Sequence, residues 1–146
     1  MRAALIKAYG EPPEVLTTEP PEPAAGEELV AVEVAGLNPV DLAIASGKFD
    51  AGRPSLPYVA GLQGIGRLAS GELVWFDGAT PPSCAVSEHA LIGAGSGIAV
   101  PDGIGPGQAI AFGVAGMAAW LSLEWRGRIE PGETVLVLGA SGAVGQ

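Results

Sequence analysis

Cysteine and histidine are nearly absent from this chain, which has one of each, Cys84 and His89, among its 146 residues. A single cysteine excludes an internal disulfide, and it also excludes a zinc lobe built from several thiolates. No signal-peptide pattern stands at the N-terminus, so we expect a reducing, cytoplasmic setting. We interpret Cys84 as a small buried hydrophobic residue and not as a nucleophile.

Basic residues are also scarce: seven Lys and Arg stand against sixteen Asp and Glu, for a net charge of −9. An acidic surface repels nucleic acid and anionic lipid. The longest apolar stretch, residues 109–121, is shorter than the roughly 18 residues that argue for a membrane helix. We therefore expect neither nucleic acid nor a membrane as a partner.

Glycine and short apolar runs are what the chain has in abundance. It contains 23 glycines and 13 prolines, and 48% of its residues are hydrophobic. This composition favours many short strands and turns. Alternation and turn residues predict strands at 2–8, 15–19, 28–37, 61–69, 72–76, 83–87, 90–92 and 98–100.

A short helix is predicted from Asn38 to about residue 46. Asn38 suits the N-cap, Pro39 the first helical position, and Asp41 the first turn, where a carboxylate interacts well with the helix dipole. Capping alone is a complete structural explanation for Asn38 and Asp41. The loop at 48–60, which contains Tyr58, is long enough to form the rim of a binding cleft.

Residues 106–125 change the pattern. Apolar residues recur there at three- and four-residue spacing, which predicts a helix, interrupted near 113–116 by glycines.

The closing stretch carries the strongest functional signal. Residues 134–138 (TVLVL) predict a strand buried on both faces of a parallel sheet, and glycines follow directly. Gly142 and Gly145 hold the second and third places of the G-x-G-x-x-G dinucleotide fingerprint, with Ala140 in the first. The candidate cofactor-binding residues are Gly139, Ser141, Gly142, Ala143, Val144 and Gly145. A complete βαβ unit needs on the order of 30 residues, so we expect only the start of a nucleotide-binding domain.

Four segments, in this order, resemble the medium-chain dehydrogenase/reductase superfamily. They are AALIKAYG-x-P near the start, AGLNPVDLAIASGKF, the G-x-x-G element at 61–64, and PGETVLVLGASGAVGQ at the end. Within the superfamily, the chain is most similar to the zinc-independent quinone oxidoreductase branch. The resemblance implies a mainly β fold with some α. A GroES-like distorted β-barrel catalytic domain would occupy residues 1–104. Connecting helices and the truncated start of a Rossmann-type domain would occupy residues 105–146.

The same resemblance bears on zinc and on the catalytic residues. Zinc-dependent members place a cysteine at the position of Asn38 and a His-Glu pair at Leu62 and Gln63, and none of these ligands is present. It therefore implies no zinc. In the quinone oxidoreductases the Asn-Pro-x-Asp asparagine lies beside the nicotinamide, so Asn38 is a candidate for both catalysis and cofactor binding. Tyr58 is the second catalytic candidate, and Gln63 faces either the vacated metal pocket or solvent.

Two departures from the family pattern stand out. The connection between the strands predicted at 61–69 and 72–76 is much shorter than in relatives. Ala118 stands where relatives often have a threonine that can hydrogen-bond to the cofactor, so we do not count on that contact.

The leading hypothesis is a zinc-independent oxidoreductase that uses NAD(P)H to reduce a quinone or an enone, with NADPH favoured by the resemblance. The parent protein would be a homodimer, and these 146 residues would be inactive alone. Two alternatives stay open, a non-catalytic GroES-like interaction module and a zinc-dependent alcohol dehydrogenase. The residue that discriminates NAD from NADP would lie about 20 positions beyond the glycines.

Overall fold

The described chain is mostly strands at first, continues with a helical segment and closes with turns and irregular structure. The computed structural model describes residues 1–49, 52–79 and 81–145. Its first part contains β1 (Arg2–Ile6), β2 (Glu14–Thr17), β3 (Glu27–Gly36), α1 (Pro39–Ala45), β4 (Tyr58–Val59), β5 (Gln63–Arg67), β6 (Leu73–Phe76), β7 (His89–Gly93) and β8 (Ile98–Ala99). A helical segment, Pro106–Gly127, follows. The prediction of a mainly β fold with some α is confirmed.

The strands form two antiparallel sheets, ordered β2-β1-β4 and β7-β3-β5-β6-β8. β3 is the longest strand, because its alternation of valines with other residues runs almost unbroken, and it pairs with both β5 and β7. One core cluster joins the two sheets. It contains Ala3, Val30, Val59, Phe76, Ala79, Cys84, Ala85, Ala90 and Ile92.

The helical segment is interrupted, as predicted. α2 (Pro106–Ala111) passes into a π-helical turn (Phe112–Gly116), then α3 (Met117–Trp120) and a second π-helical stretch (Leu121–Gly127). Gly113, with φ −61° and ψ −125°, breaks the helical geometry at the first π-turn. Glycine or an inserted side chain is a recognised cause of such a kink.

Most of this helical segment is exposed, including Phe112, Trp120 and Trp125. By length and composition alone, Pro106–Gly127 could cross a membrane. The sequence-based count missed this because it stopped at the uninterrupted apolar run, whereas the helix extends beyond that run at both ends. One such helix is weak evidence for a membrane span.

Two predicted strands are not strands in this structure. Residues 83–87 form bends and irregular structure, with one isolated bridge between Ala3 and Ser87. Residues 134–138 belong to no strand, because neither sheet of the described chain offers them a partner. A strand is defined by its ladder of hydrogen bonds, and apolar character alone cannot supply one. Residues 50 and 51 of the predicted loop, and Gln146 of the closing motif, lie outside the described residues.

Cys84 lies in the core with 1% of its surface exposed, as its interpretation as a buried hydrophobic residue requires. Burial, and secondarily the charge of Asp41, raises the pKa of the Cys84 thiol from 9.0 to about 12. The thiolate is the reactive form of cysteine. We therefore expect the native protein at pH 8 to react with a disulfide reagent much more slowly than the urea-unfolded chain.

The same shift predicts a pH dependence of stability. Because the folded-state pKa is the higher one, the unfolded state ionises first as the pH rises from 9.0 toward 12. The free energy of unfolding should therefore fall across that window, by up to roughly 1.4 kcal/mol per pH unit. Cys84→Ala should flatten the decline measured by urea titration. Rapid labelling of the native protein, or an alkaline profile unchanged in Cys84→Ala, would contradict this account.

Candidate functional site

The start of α1 is fixed by one buried carboxylate. Asn38 occupies the predicted N-cap with extended backbone geometry (φ −119°, ψ 163°), and Pro39 opens the helix. Asp41 Oδ2 accepts a hydrogen bond from the Asn38 N–H at 2.7 Å, and its Oδ1 accepts one from the Leu62 N–H at 3.0 Å. Asp41 therefore ties the helix N-terminus to the chain leading into β5. The prediction that Asn38 and Asp41 stand at the start of a helix is confirmed.

The glycine turn at 139–145 disfavours a side chain at Gly139 through its backbone angle and at Gly145 through a steric contact. The Gly142 N–H donates to the Gly139 carbonyl at 2.8 Å, and the Gly145 N–H donates to the Gly142 carbonyl at 3.1 Å. Gly139 has φ +74°, a region that favours glycine. A Cβ at Gly145 would lie 2.4 Å from the Gly139 oxygen. The predicted tight turn is therefore present, while its role in cofactor binding stays a prediction.

A cleft of about 600 Å³ lies between the glycine turn, the helical segment and the start of α1. This volume falls within the range of small-molecule sites. The walls come from Pro39, Ala119, Ser122, Leu123, Val135, Leu136, Val137, Leu138, Gly139, Gly142, Ala143, Val144 and Gly145. Of the predicted cofactor-binding residues, the cleft thus gathers Gly139 and 142–145. Asn38 immediately precedes a wall residue, and neither it nor Ser141 forms part of the lining.

Tyr58 lies elsewhere, in a second core cluster with Ile6 and Ile44. It is 4% exposed and borders a small cavity of about 20 Å³, which it shares with Asp41. Burial is the main cause that raises the pKa of Tyr58, followed by the neighbouring Tyr9, Cys84 and Asp41. Its phenol is therefore protonated at neutral pH. The catalytic role of Tyr58 stays a prediction.

Gln63 has a structural role that the sequence did not reveal. It is 3% exposed, so the alternative of a solvent-facing side chain is wrong. Its Oε1 accepts hydrogen bonds from Trp75 Nε1 at 3.3 Å and from the Val114 N–H at 3.0 Å. Gln63 thereby joins the five-stranded sheet to the kinked helix. The only signal for this in the sequence is the pair of glycines, Gly36 and Gly113, that make room for the amide.

A second cavity, of about 360 Å³, lies on the barrel side of the kinked helix. Its walls are almost entirely apolar and include Trp75, Ile98, Phe112 and Met117. Within residues 1–49, 52–79 and 81–145, no group of three or more His, Cys, Asp and Glu side chains could hold a metal ion.

Comparison with known proteins places these features in context. No family model matches the chain. The quinone oxidoreductase of Rattus norvegicus is 32% identical over 99% of this chain and 47% of its own length. A zinc-type alcohol dehydrogenase-like protein of Schizosaccharomyces pombe is 31% identical over 90% of this chain and 43% of its own length.

A solved structure agrees closely with the fold. The quinone oxidoreductase of Thermus thermophilus, studied alone and in complex with NADPH, is 32% identical and superposes with a TM-score of 0.84. The match covers 99% of this chain and 47% of that protein. The chain thus spans about half the length of the relatives it matches.

Proposed function

We propose that this chain, which belongs to the quinone oxidoreductase branch of the medium-chain dehydrogenase/reductase superfamily, contributes the nicotinamide-facing half of a zinc-independent reductase. The reductase would use NAD(P)H to reduce a quinone or an enone. Its fold is the predicted GroES-like distorted barrel followed by the opening of a nucleotide-binding domain. We assign the barrel to residues 1–104 and the connecting helices with the glycine turn to residues 105–146. The reductase would act in the cytoplasm as a homodimer.

The observation that carries this proposal is the cleft of about 600 Å³. It brings the glycine turn and the N-terminal residue of α1 to the walls of one space, although about 100 residues separate them in the sequence. Glycines at 139, 142 and 145 leave the backbone of the turn without side chains, and such a backbone lets a phosphate approach closely. The residues present therefore fit a dinucleotide, and the proteins that resemble this chain support NADPH in particular.

Each candidate residue has a proposed task, including Asn38, Ser141 and Tyr58, which do not themselves line the cleft. Gly139, Ser141, Gly142, Ala143, Val144 and Gly145 would hold the pyrophosphate by its close approach to the backbone of the turn, whose Gly142 and Gly145 N–H groups already donate within the turn. The Asn38 amide would orient the nicotinamide end and hydrogen-bond the substrate carbonyl. When bound, the nicotinamide supplies the hydride for an electron-poor carbon of the substrate. A protonated phenol can donate a proton, which keeps Tyr58 as a candidate donor, with water as the other source.

The 146 residues by themselves should bind dinucleotide weakly and turn over no quinone. Two of the residues that line their cleft, Leu136 and Leu138, are largely exposed, so the space is open to solvent. Affinity depends on enclosure and on several converging groups. We expect a dissociation constant weaker than about 100 µM.

The decisive test joins residues 1–146 to the second half of the Thermus thermophilus relative. We expect the chimaera to oxidise NADPH with 1,4-benzoquinone, at a rate unaffected by a zinc chelator. A folded chimaera that neither binds NADPH nor reduces any quinone or enone would refute the proposal. Loss of activity with the chelator would instead revive the zinc-dependent alternative.

Asn38→Ser in the chimaera separates capping from catalysis. Serine keeps a good N-cap but removes the amide donor. If the amide stabilises developing charge on the substrate oxygen, kcat should fall by about 100-fold, a typical cost of losing one such donor. The melting temperature should stay near that of the unsubstituted chimaera. An unchanged kcat would assign Asn38 to capping alone.

A second candidate function is a non-catalytic interaction module. The exposed apolar side chains of the helical segment, among them Trp120 and Trp125, favour it because such surfaces commonly bind a partner. An inactive, dinucleotide-free chimaera would support this alternative.

A further inference from the structure

The helical segment has a single buried residue where it meets the barrel. Across Pro106–Gly127, Gly113 is the one buried residue, and it is also the residue whose ψ of −125° breaks the helix. The next residue, Val114, donates its N–H to Gln63 Oε1 at 3.0 Å. A hydrogen bond from the barrel therefore falls at the kink, where regular helical hydrogen bonding is disturbed.

Hydrogen bonds and close packing hold the side-chain amide of Gln63 in one position. Its Oε1 also accepts the Trp75 indole N–H at 3.3 Å. A Cβ at Gly36 would lie 2.5 Å from Nε2, and a Cβ at Gly113 would lie 2.5 Å from Oε1 and from Trp75 Nε1. Both donors to Oε1 are N–H groups, so the position requires an acceptor. An aliphatic side chain of similar size would leave the two N–H groups without this partner.

We propose that Gln63 is a positioning residue that fixes the kink at Gly113 and so sets the separation of the two walls of the cleft. The helix supplies Ala119, Ser122 and Leu123 to one wall, and Pro39 of α1 stands in the other. Gln63 lies in β5, directly after Leu62, which Asp41 links to the start of α1. The residues that hold the two walls in place, Leu62 and Gln63, are therefore adjacent in the sequence. The importance of this positioning for catalysis rests on the proposed function, but the effect of Gln63 on the kink and on the separation of the walls does not.

Two variants of the 146-residue chain test it as a matched pair. Gln63→Leu removes the acceptor, whereas Gln63→Glu keeps an oxygen for both donors. In Gln63→Leu, hydrogen exchange at the Val114 amide and the Trp75 indole should accelerate about tenfold or more, as expected when one hydrogen bond is lost. The Trp75 indole proton resonance, assigned with Trp75→Phe, should also move. Gln63→Glu should keep exchange within about twofold of the unsubstituted chain.

A distance measurement reports the positioning directly. Leu42 in α1 and Trp120 in α3 are 70% and 67% exposed, so cysteines at both sites can carry spin labels in a Cys84→Ala background. The interlabel distance distribution should be narrow with Gln63 or Glu and clearly broader with Leu. Equal distributions in all three proteins, or equal broadening by Glu and Leu, would overturn the proposal.

Gly113→Ala provides an independent variant should Gln63→Leu fail to fold. Its Cβ would enter the space of the Gln63 oxygen and the indole nitrogen. The variant should therefore show the accelerated exchange with Gln63 intact. Exchange as slow as in the unsubstituted chain would overturn the proposal. These readouts need no cofactor, so an inactive chimaera would reject the proposed function and leave this result standing.

Discussion

Asp41→Ala should lower the free energy of unfolding by roughly 3 kcal/mol, because two backbone N–H groups lose their acceptor at once. Asp41 is 7% exposed and accepts from Asn38 at 2.7 Å and from Leu62 at 3.0 Å. Each unsatisfied buried donor costs about 1–3 kcal/mol. Urea unfolding followed by circular dichroism measures the loss, with an unchanged denaturant slope if the transition stays two-state.

Two further aspartate variants serve as controls for Asp41. Asp41→Asn keeps one oxygen acceptor and should cost about half as much as alanine. Asp102→Ala alters an exposed aspartate and should change stability by less than about 0.5 kcal/mol. Equal midpoints for Asp41→Ala and Asp102→Ala would show that the carboxylate does not hold the start of α1.

Gly66→Ala should be at least as damaging, at about 3 kcal/mol or more, because its obstacle is backbone. A Cβ there would lie 2.4 Å from the Ala31 oxygen and 2.5 Å from Val30 Cγ1. Both residues belong to β3, which is held between β5 and β7 and cannot move without disturbing the whole sheet. The same urea titration measures the effect.

Gly107→Ala is the matched control for Gly66→Ala. Apart from the adjoining backbone of its own helix, no atom lies within 4 Å of the Cβ position at Gly107, which stands in the first turn of α2. Alanine there should be neutral or stabilising by up to about 1 kcal/mol, since it favours the helix and restricts the unfolded chain. A cost at Gly66 as small as that at Gly107 would contradict the packing described for β3 and β5.

Local signals account for the parts of the fold that could be predicted. The alternating valines define β3, and the Asn-Pro-x-Asp pattern defines the start of α1. The error at 134–138 has a different origin, because apolar residues predict a strand only when another strand is available to pair with them. Residues 83–87 contain Cys84 and Ala85, which pack in the core. Their apolar character therefore resembles that of a strand, although they pair with no full strand of the described chain.

The site divides in the same way. The glycine turn was visible in the sequence because its backbone geometry admits few residue types. The contact between Gln63 and Val114 joins residues 51 positions apart, and no local pattern encodes which donor a buried amide will meet. Tyr58 looked like a rim residue because it falls in the long predicted loop at 48–60, but it lies in β4 and its ring packs against Ile6 and Ile44 in the core.

The central claim is that the cleft between α1 and the glycine turn accepts a nicotinamide dinucleotide. Titration of NADPH into the ¹⁵N-labelled 146-residue chain tests this most directly, because NMR detects weak binding residue by residue. We predict amide shift changes concentrated at Ser122, Leu123 and residues 139–145, with saturation only well above about 100 µM. Shifts confined to the apolar cavity around Trp75 and Phe112, or none at millimolar NADPH, would contradict the account.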